Sequence, residues 1–386
     1  MLQVWDPPLD AEAMKWRRLA ETVSREVFAP RAAELDRDGS YSWDNVKALV
    51  DSGLAAPFIP EEFGGHALSL AAVCAVSEEI SRACASTGAI LSSYALGSFP
   101  VVVAGTPEQK SFYLPKVVAG EAISFALTEA DAGSDAGAIK TRAEKTADGW
   151  RIQGEKVYIG NGGAAKYYIV FANTDEIDGH RAGVTAFFVD REAAGVTIDR
   201  FEDKMGIRGT MTSNLRLDTV VSDSAVLGEI GRALRLALQT LNAGRISVAA
   251  QSNGVALAAL DAATGRASER RTFGKPIIDH QGIGFQLADV ATSVTAARML
   301  THEAASAYDS GGDTSTLGAM AKLFASEAAG RAVDIAVQVF GGEGYCKPCI
   351  AERLYRDQRV LTIYEGTSEI QRVVIARALK AGNQSG

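Results

Sequence analysis

The stretch KTRAEKTADGWRIQGEKVYI, residues 140 to 159, decides how this chain divides. Charged and apolar side chains alternate along it with period two, as in a strand with one buried face. Ala147-Asp148-Gly149 interrupts the alternation with residues that tolerate a tight turn, so the segment reads as a β-hairpin. Similar β-branched and aromatic runs lie around it: AISFALTE, YYIVFANT, VTAFFVD and SNLRLDTVV, each bounded by Gly, Asp or Asn. Together they define a sheet region at residues 121–226.

On both sides the period changes. From residue 9 to 120 apolar residues recur at helical spacing, and LAAVCAVSEEISRACASTGAILSSYALG (70 to 97) reads as two buried, Ala-rich helices broken near Ser86. Downstream, LRLALQTLNAGRISVAAQSNGVALAALDAATGRASERR is one long helical stretch, followed by others at about 281–310, 313–340 and 368–380. The order is helices, sheet, helices: an α+β multidomain chain with an α-helical domain at 1–120, a β-domain at 121–226 and a helical domain at 227–386. A doubly wound dinucleotide fold would alternate strand and helix throughout. Neither Gly160-Asn161-Gly162-Gly163 nor Gly341-Gly342-Glu343-Gly344 makes its G-x-G-x-x-G turn, and a P-loop is absent.

Composition narrows the function. The 386 residues are 47% hydrophobic and 22% charged, with net charge −8 and both signs interspersed. No basic stripe invites a nucleic acid. No apolar run reads as long enough to cross a bilayer, and the opening residues lack the pattern of a signal peptide. Four scattered cysteines (Cys74, Cys84, Cys346, Cys349) point to a reducing, cytoplasmic setting. Cys346-Lys347-Pro348-Cys349 reads as ordinary thiols in a turn, with a redox pair as the alternative. The histidines, at 66, 180, 280 and 302, are too dispersed for a metal site or a His-dependent triad, so no metal is expected. A bound organic cofactor is left to carry the chemistry.

Four segments carry candidate sites, and each has an ordinary reading beside it. FALTEADAGSDAG (125 to 137) opens from a strand into a loop of small residues with hydroxyls at Thr128 and Ser134, suited to close approach by a ligand or simply to turning. In GEKVYIGNGGAAKYYIV (154 to 170), Tyr158 stands beside bare backbone at Gly160, against a flat ring or merely packed in a hairpin. Arg270-Arg271-Thr272-Phe273-Gly274 lies between two helices, a pyrophosphate grip or a solvated corner. Glu365 precedes Gly366-Thr367-Ser368, a helix N-cap; it is a carboxylate on a segment loosened by glycine, or one favoured by the helix start.

In their order, these segments resemble the signature regions of the acyl-CoA dehydrogenase family, as do DKMGIRGT (203 to 210), LNAGRISVAAQ (241 to 251) and QVFGGEGY (338 to 345). The likeness spans nearly the whole chain and is greatest to short- and medium-chain, butyryl-type members. It implies an N-terminal helical domain, a middle β-barrel-like domain and a C-terminal four-helix bundle, assembled as a homotetramer holding FAD. By position, Phe125, Leu127, Thr128, Gly133 and Ser134 line the flavin, and Tyr158, Ile159 and Gly160 back its ring. Arg270, Thr272, Phe273, Gln281, Gln338, Val339, Gly341 and Gly342 hold the adenosine diphosphate, several across a subunit interface, while Thr367 and Glu369 return to the FAD. Ser134, Asn242, Arg245, Ser92, Tyr345 and Gly366 border the acyl-CoA.

The same resemblance makes Glu365 the base that removes the α-proton as a hydride leaves the β-carbon for the flavin, in the manner of fatty-acid β-oxidation. An electron-transfer flavoprotein is the implied electron acceptor. Some members carry the base on the long helix, at the position that is Gly244 here. Three residues depart from the family pattern: Ala130 replaces Pro, Tyr158 replaces Trp, and Gly160 replaces a Thr or Ser whose hydroxyl meets the flavin. That last loss keeps open a same-fold enzyme of altered output: an oxidase, a carrier-protein thioester dehydrogenase or a non-redox eliminating enzyme.

Overall fold

A computed structural model describes residues 5–176, 179 and 182–382. His180, among the histidines weighed above, lies outside the described residues.

Among the described residues, six α-helices precede the sheet: α1 (Ala11–Val23), α2 (Ala29–Asp38), α3 (Trp43–Asp51), α4 (Leu70–Ala83), α5 (Ala85–Ala104) and α6 (Pro107–Val118). Asp10 and Ser69 accept N–H bonds at the starts of α1 and α4, and Thr106 with Gln109 forms a reciprocal capping box on α6. The break between α4 and α5 falls at Cys84, whose backbone is extended, two residues before the expected Ser86.

The sheet contains β1 (Ile123–Ala126), β2 (Arg142–Thr146), β3 (Gly149–Gly160), β4 (Tyr167–Thr174), β5 (Gly183–Asp190), β6 (Val196–Phe201), β7 (Thr212–Val221) and β8 (Val226–Leu227). Its order is β6-β7-β3-β2-β4-β5-β8, with β1 parallel to β4. Thr146 pairs with Gly149, so the hairpin turns where its Ala-Asp-Gly signal lies. β6 escaped the sequence reading because its alternation is faint: only Val196 and Ile198 are half-buried and no side chain is fully buried.

Beyond the sheet come α7 (Ala233–Glu269), a hairpin of β9 (Arg271–Thr272) and β10 (Lys275–Pro276), α8 (Gln281–Asp309), α9 (Ser315–Phe340), α10 (Ile350–Gln358) and α11 (Ser368–Gly382). α7, α8 and α9 pack on one another, and α11 closes on α9. The largest core runs without interruption from Trp16 and Phe28 through Ile90 and Val101 into Ile169, Phe187 and Leu217, joining the first helices to the sheet. A second core, with Val255, Val294 and Val333, fills the bundle.

Contrary to the sequence expectation, among the described residues one helix is by length and composition apolar enough to cross a membrane: α5. Here it is wrapped by protein, packing on α4, α6, α7 and β1. A helix covered on most sides loses its polar face. The contact with β1 is so close that a Cβ on Gly97 would stand 1.7 Å from the Ile123 carbonyl oxygen.

The helices on either side of the sheet are tied by buried charge. Arg298 of α8 donates from Nη2 to Glu78 of α4 at 2.7 Å and to Asp6 at 3.0 Å, with both Arg298 and Glu78 buried. Removing one member of such a pair strands the other charge, which costs about 3–5 kcal/mol. Arg298→Met is therefore expected to lower stability by that order, read as a fall in the urea midpoint. Adding Glu78→Gln should recover much of the loss; a double variant no more stable than the single would contradict this account.

Candidate active site

The turn into α11 sets the position of Glu365. Thr367 Oγ1 accepts the N–H of Ile370 at 3.3 Å and caps the helix. The two residues before it take left-handed backbone, Glu365 at φ 52° and Gly366 at φ 95°. Glycine adopts this freely, but for a glutamate it is uncommon and must be held. Lys322 Nζ donates to Gly366 O at 2.8 Å, Gln371 Nε2 to the same oxygen at 2.7 Å, and the Tyr364 hydroxyl bonds Gln251. Lys322, Gln371 and Gln251 are all fully buried. The segment read as loosened by Gly366 is thus pinned on both sides.

The carboxylate itself is only partly satisfied. Ser92 Oγ, on α5, lies 3.4 Å from Oε1, while Oε2 is buried with no hydrogen-bond partner. Gly244 of α7 faces it so closely that a Cβ there would stand 1.9 Å from Oε2. Next on α7, buried Arg245 donates to Asn242 Oδ1 at 2.8 Å and keeps its Nε unpartnered. Burial pushes the Glu365 carboxyl up to about 7, against the opposing pull of Lys322, the Ser92 bond and Arg245. Burial likewise brings the Lys322 ammonium down to about 8. A carboxyl ionising near neutrality, unpaired and enclosed, is poised to take a proton.

A second wall comes from the β-domain. Thr128 O accepts the Val157 N–H at 2.9 Å, and the register of β3 against β7 slips between Lys156 and Ile159. At that irregularity Tyr158 takes φ 59°, anchors its N–H on Asn214 Oδ1 at 3.0 Å and leaves its side chain 63% exposed. Gly160 O accepts from Ser124 Oγ at 2.8 Å, and a Cβ on Gly160 would lie 2.9 Å from Ser93 Oγ. Consecutive serines of α5 therefore link the two walls. Phe125 packs on Phe171 with ring centroids 4.7 Å apart, and Leu127 and Ile159 are buried, so these two offer backbone rather than side chain. Gly133 and Ser134 are exposed, and the Cβ direction of Gly133 is open.

Beneath this loop lies a support that the sequence reading missed. Lys156 is fully buried and donates to Leu127 O at 3.0 Å and to Glu129 Oε1 at 2.7 Å. Glu129 also accepts the N–H groups of Lys140 and Thr141. The available signal was parity: Lys156 is in phase with buried Trp150 and Ile152 on β3. Lys322 was hidden in the same way, three residues before Ala325 and seven before Ala329 on the apolar stripe of α9.

The remaining expected residues gather elsewhere. Arg270, Thr272 and Phe273 follow α7, Gln281 begins α8, and Gln338, Val339, Gly341 and Gly342 end α9. Phe273 is 95% exposed, Val339 is buried, and the Cβ directions of Gly341 and Gly342 are open. Tyr345, expected at the substrate, lies here and is exposed. It follows the end of α9, which lies roughly 27 Å along the helix axis from Lys322. Within one chain it is not brought to Glu365.

These residues fit the FAD that the resemblance implies. An exposed aromatic, bare glycine backbone, a small-residue loop and an exposed arginine corner match a flat ring with a pyrophosphate tail, and Arg245 Nε and Glu365 Oε2 are polar atoms lacking protein partners.

Comparison with known proteins gives three family models in succession: acyl-CoA dehydrogenase N-terminal domain over residues 10–121, middle domain over 124–220 and C-terminal domain over 231–380. The chain is 44% identical to the mitochondrial short-chain specific acyl-CoA dehydrogenase of Bos taurus, over 92% of this chain and 86% of that one. It is 42% identical to a 3-(aryl)acrylate reductase of Clostridium sporogenes, over 94% and 97%. The solved butyryl-CoA dehydrogenase of Megasphaera elsdenii superposes with a TM-score of 0.93 at 37% identity, covering 97% of this chain and all of that one.

The Lys322 charge favours the ionised form of Glu365, so its removal should raise the Glu365 pKa above about 7. Lys322→Met is expected to move the acidic limb of kcat/KM upward by about one pH unit, within the range of a neighbouring charge. Measured pH–rate profiles check this. A limb that stays in place while the plateau falls would leave Lys322 with a structural role alone.

Proposed function

Since this chain belongs to the acyl-CoA dehydrogenase family of FAD-dependent oxidoreductases, we propose that Glu365 is its catalytic base and that its substrate is a short, branched or cyclic acyl-CoA. The product is the α,β-unsaturated thioester. One observation supports the role of Glu365 most: its carboxylate is enclosed, unpaired at Oε2 and pushed up to about 7, beside a serine whose neighbour meets the Gly160 wall.

The α-proton of a thioester is far less acidic than a carboxylic acid, so a base alone does not suffice. The site must stabilise the enolate as it forms. We assign the thioester carbonyl oxygen to the backbone N–H of Glu365, whose left-handed turn is held rigid by Lys322 and Gln371. When bound, FAD would supply the acceptor for the hydride leaving the β-carbon. Glu365 takes the proton, Ser92 orients its carboxylate, and Asn242 and Arg245 lie at the acyl-CoA. Thr128 and Ser134 would offer hydroxyls to the flavin, Tyr158 would back it, and Thr367 and Glu369 would meet it from the start of α11.

The exposed cluster at the far end of the bundle supports an oligomer. From Arg245 to Arg270 the chain runs about 37 Å along α7, more than an extended flavin dinucleotide reaches. Arg270, Phe273, Gln281 and Gly341 therefore suit the adenosine diphosphate of a second copy, consistent with a homotetramer. An electron-transfer flavoprotein is the proposed electron acceptor. The reverse reaction, reduction of an aryl-acrylate or enoyl thioester, is the second reading, favoured by the reductase relative.

Glu365→Gln keeps the shape of the side chain and removes its basicity. It should retain FAD and acyl-CoA binding while turnover falls at least about 10³-fold, within the range of general base catalysis. Anaerobic titration with straight, branched and cyclic acyl-CoAs, followed by flavin bleaching and dye reduction, reads both binding and turnover. Near-normal turnover in the variant would remove Glu365 from its role. Rapid oxygen uptake by the parent would favour an oxidase, and bleaching reversed by aryl-acrylates would favour the reductase.

A further inference from the structure

Ser92 and Ser93 are consecutive on α5 yet meet different walls of the site. Ser92 approaches Glu365, whereas Ser93 Oγ is the nearest atom to the place where a side chain of Gly160 would begin, at 2.9 Å. Nothing in the backbone at 160 calls for glycine. Its φ lies outside the left-handed region, it pairs with Thr212 in the regular ladder, and its carbonyl is engaged by Ser124. A side chain there would meet a hydroxyl from another element, the movable end of Ser93.

That hydroxyl is available. Ser93 is half-buried, and its Oγ donates to Ala89 O at 3.0 Å within its own helix. Such a bond is made to a carbonyl of the preceding turn and exchanges by rotation about one bond. A hydroxyl both donates and accepts, so a single group can serve a ring nitrogen in its bare and its protonated form.

We propose that Ser93 presents to the flavin, from α5, the hydroxyl that position 160 lacks, and so tunes the reduction potential of the bound cofactor. This rests on the reading that the flavin lies against the Tyr158–Gly160 wall. It makes Gly160 one half of an exchange rather than a lost contact.

The test uses the FAD-loaded protein and three variants: Ser93→Ala, Gly160→Ser and the two combined. Two readouts, the two-electron potential from dye equilibration and the flavin absorption bands, need no turnover. Ser93→Ala should keep FAD and shift the redox equilibrium about tenfold, which is about 30 mV for two electrons. Gly160→Ser should also perturb both readouts, because its side chain meets Ser93 Oγ. The double variant, which moves the hydroxyl across the gap, should return both toward the parent. If Ser93→Ala changes nothing while Gly160→Ser does, the ring is at this wall and the proposal for Ser93 fails. If neither variant changes the flavin, the placement of the ring fails, and with it the proposal. A shift in Ser93→Ala that the double variant does not restore would reduce Ser93 to packing and overturn the proposal.

Discussion

The geometry of the site depends on one carbonyl oxygen. Gly366 O receives both Lys322 Nζ and Gln371 Nε2, and this pair holds Glu365 and Gly366 in left-handed backbone. Burying a lysine completely is costly, several kcal/mol for the ion even after relaxation. A neutral donor could bind the same oxygen at less cost. The ammonium adds a positive charge close to the carboxylate without occupying it, so Glu365 stays ionisable near neutrality while both of its oxygens remain free of any direct ion pair.

A second buried lysine shows what direct contact does. Lys156 touches Glu129 at 2.7 Å, and two backbone N–H groups complete that carboxylate. Despite burial, the Lys156 bond and the backbone donors hold Glu129 below the usual carboxylate range. It is a fixed acceptor that shapes the loop from Phe125 to Ser134 and has no capacity left for a proton. The same two residue types thus give a structural joint in one place and a poised base in another. The difference is whether the ammonium bonds the carboxylate or the peptide beside it.

The order of helices and sheet was legible because period two and period 3.6 leave different marks, and the hairpin at Ala147-Asp148-Gly149 was legible from its turn residues. The reach of that reading ended where periodicity did. β6 buries only Val196 and Ile198, and those by half, while α10 buries polar Asp357 and Gln358 alongside Ala351 and Leu354. Of the site, Glu365, Ser92, Gly244 and Arg245 do converge, though they come from two helices and the turn before α11, far apart in the chain. The buried lysines were legible only through their phase with apolar neighbours, and what they do there is not read until the partner, 27 residues away for Lys156 or 44 for Lys322, is known. The same limit applied to Tyr345, which sequence order places with the bundle and whose distance from Glu365 follows only from the unbroken length of α9.

Gly244 and Gly160 express one constraint from two sides. In each, the volume that a side chain would fill is taken by an atom from a different element: Glu365 Oε2 against Gly244, and Ser93 Oγ against Gly160. Neither glycine is required by its backbone conformation. A close-packed interior seats both occupants only if one of them shifts, so the chemistry at a given point in space is decided jointly by two positions in the sequence. An absent functional group at one position is therefore not evidence that the site lacks it. The group has to be sought on whichever element fills the vacated volume, and around this site that element is α5 for the wall at Gly160 and the turn before α11 for the base.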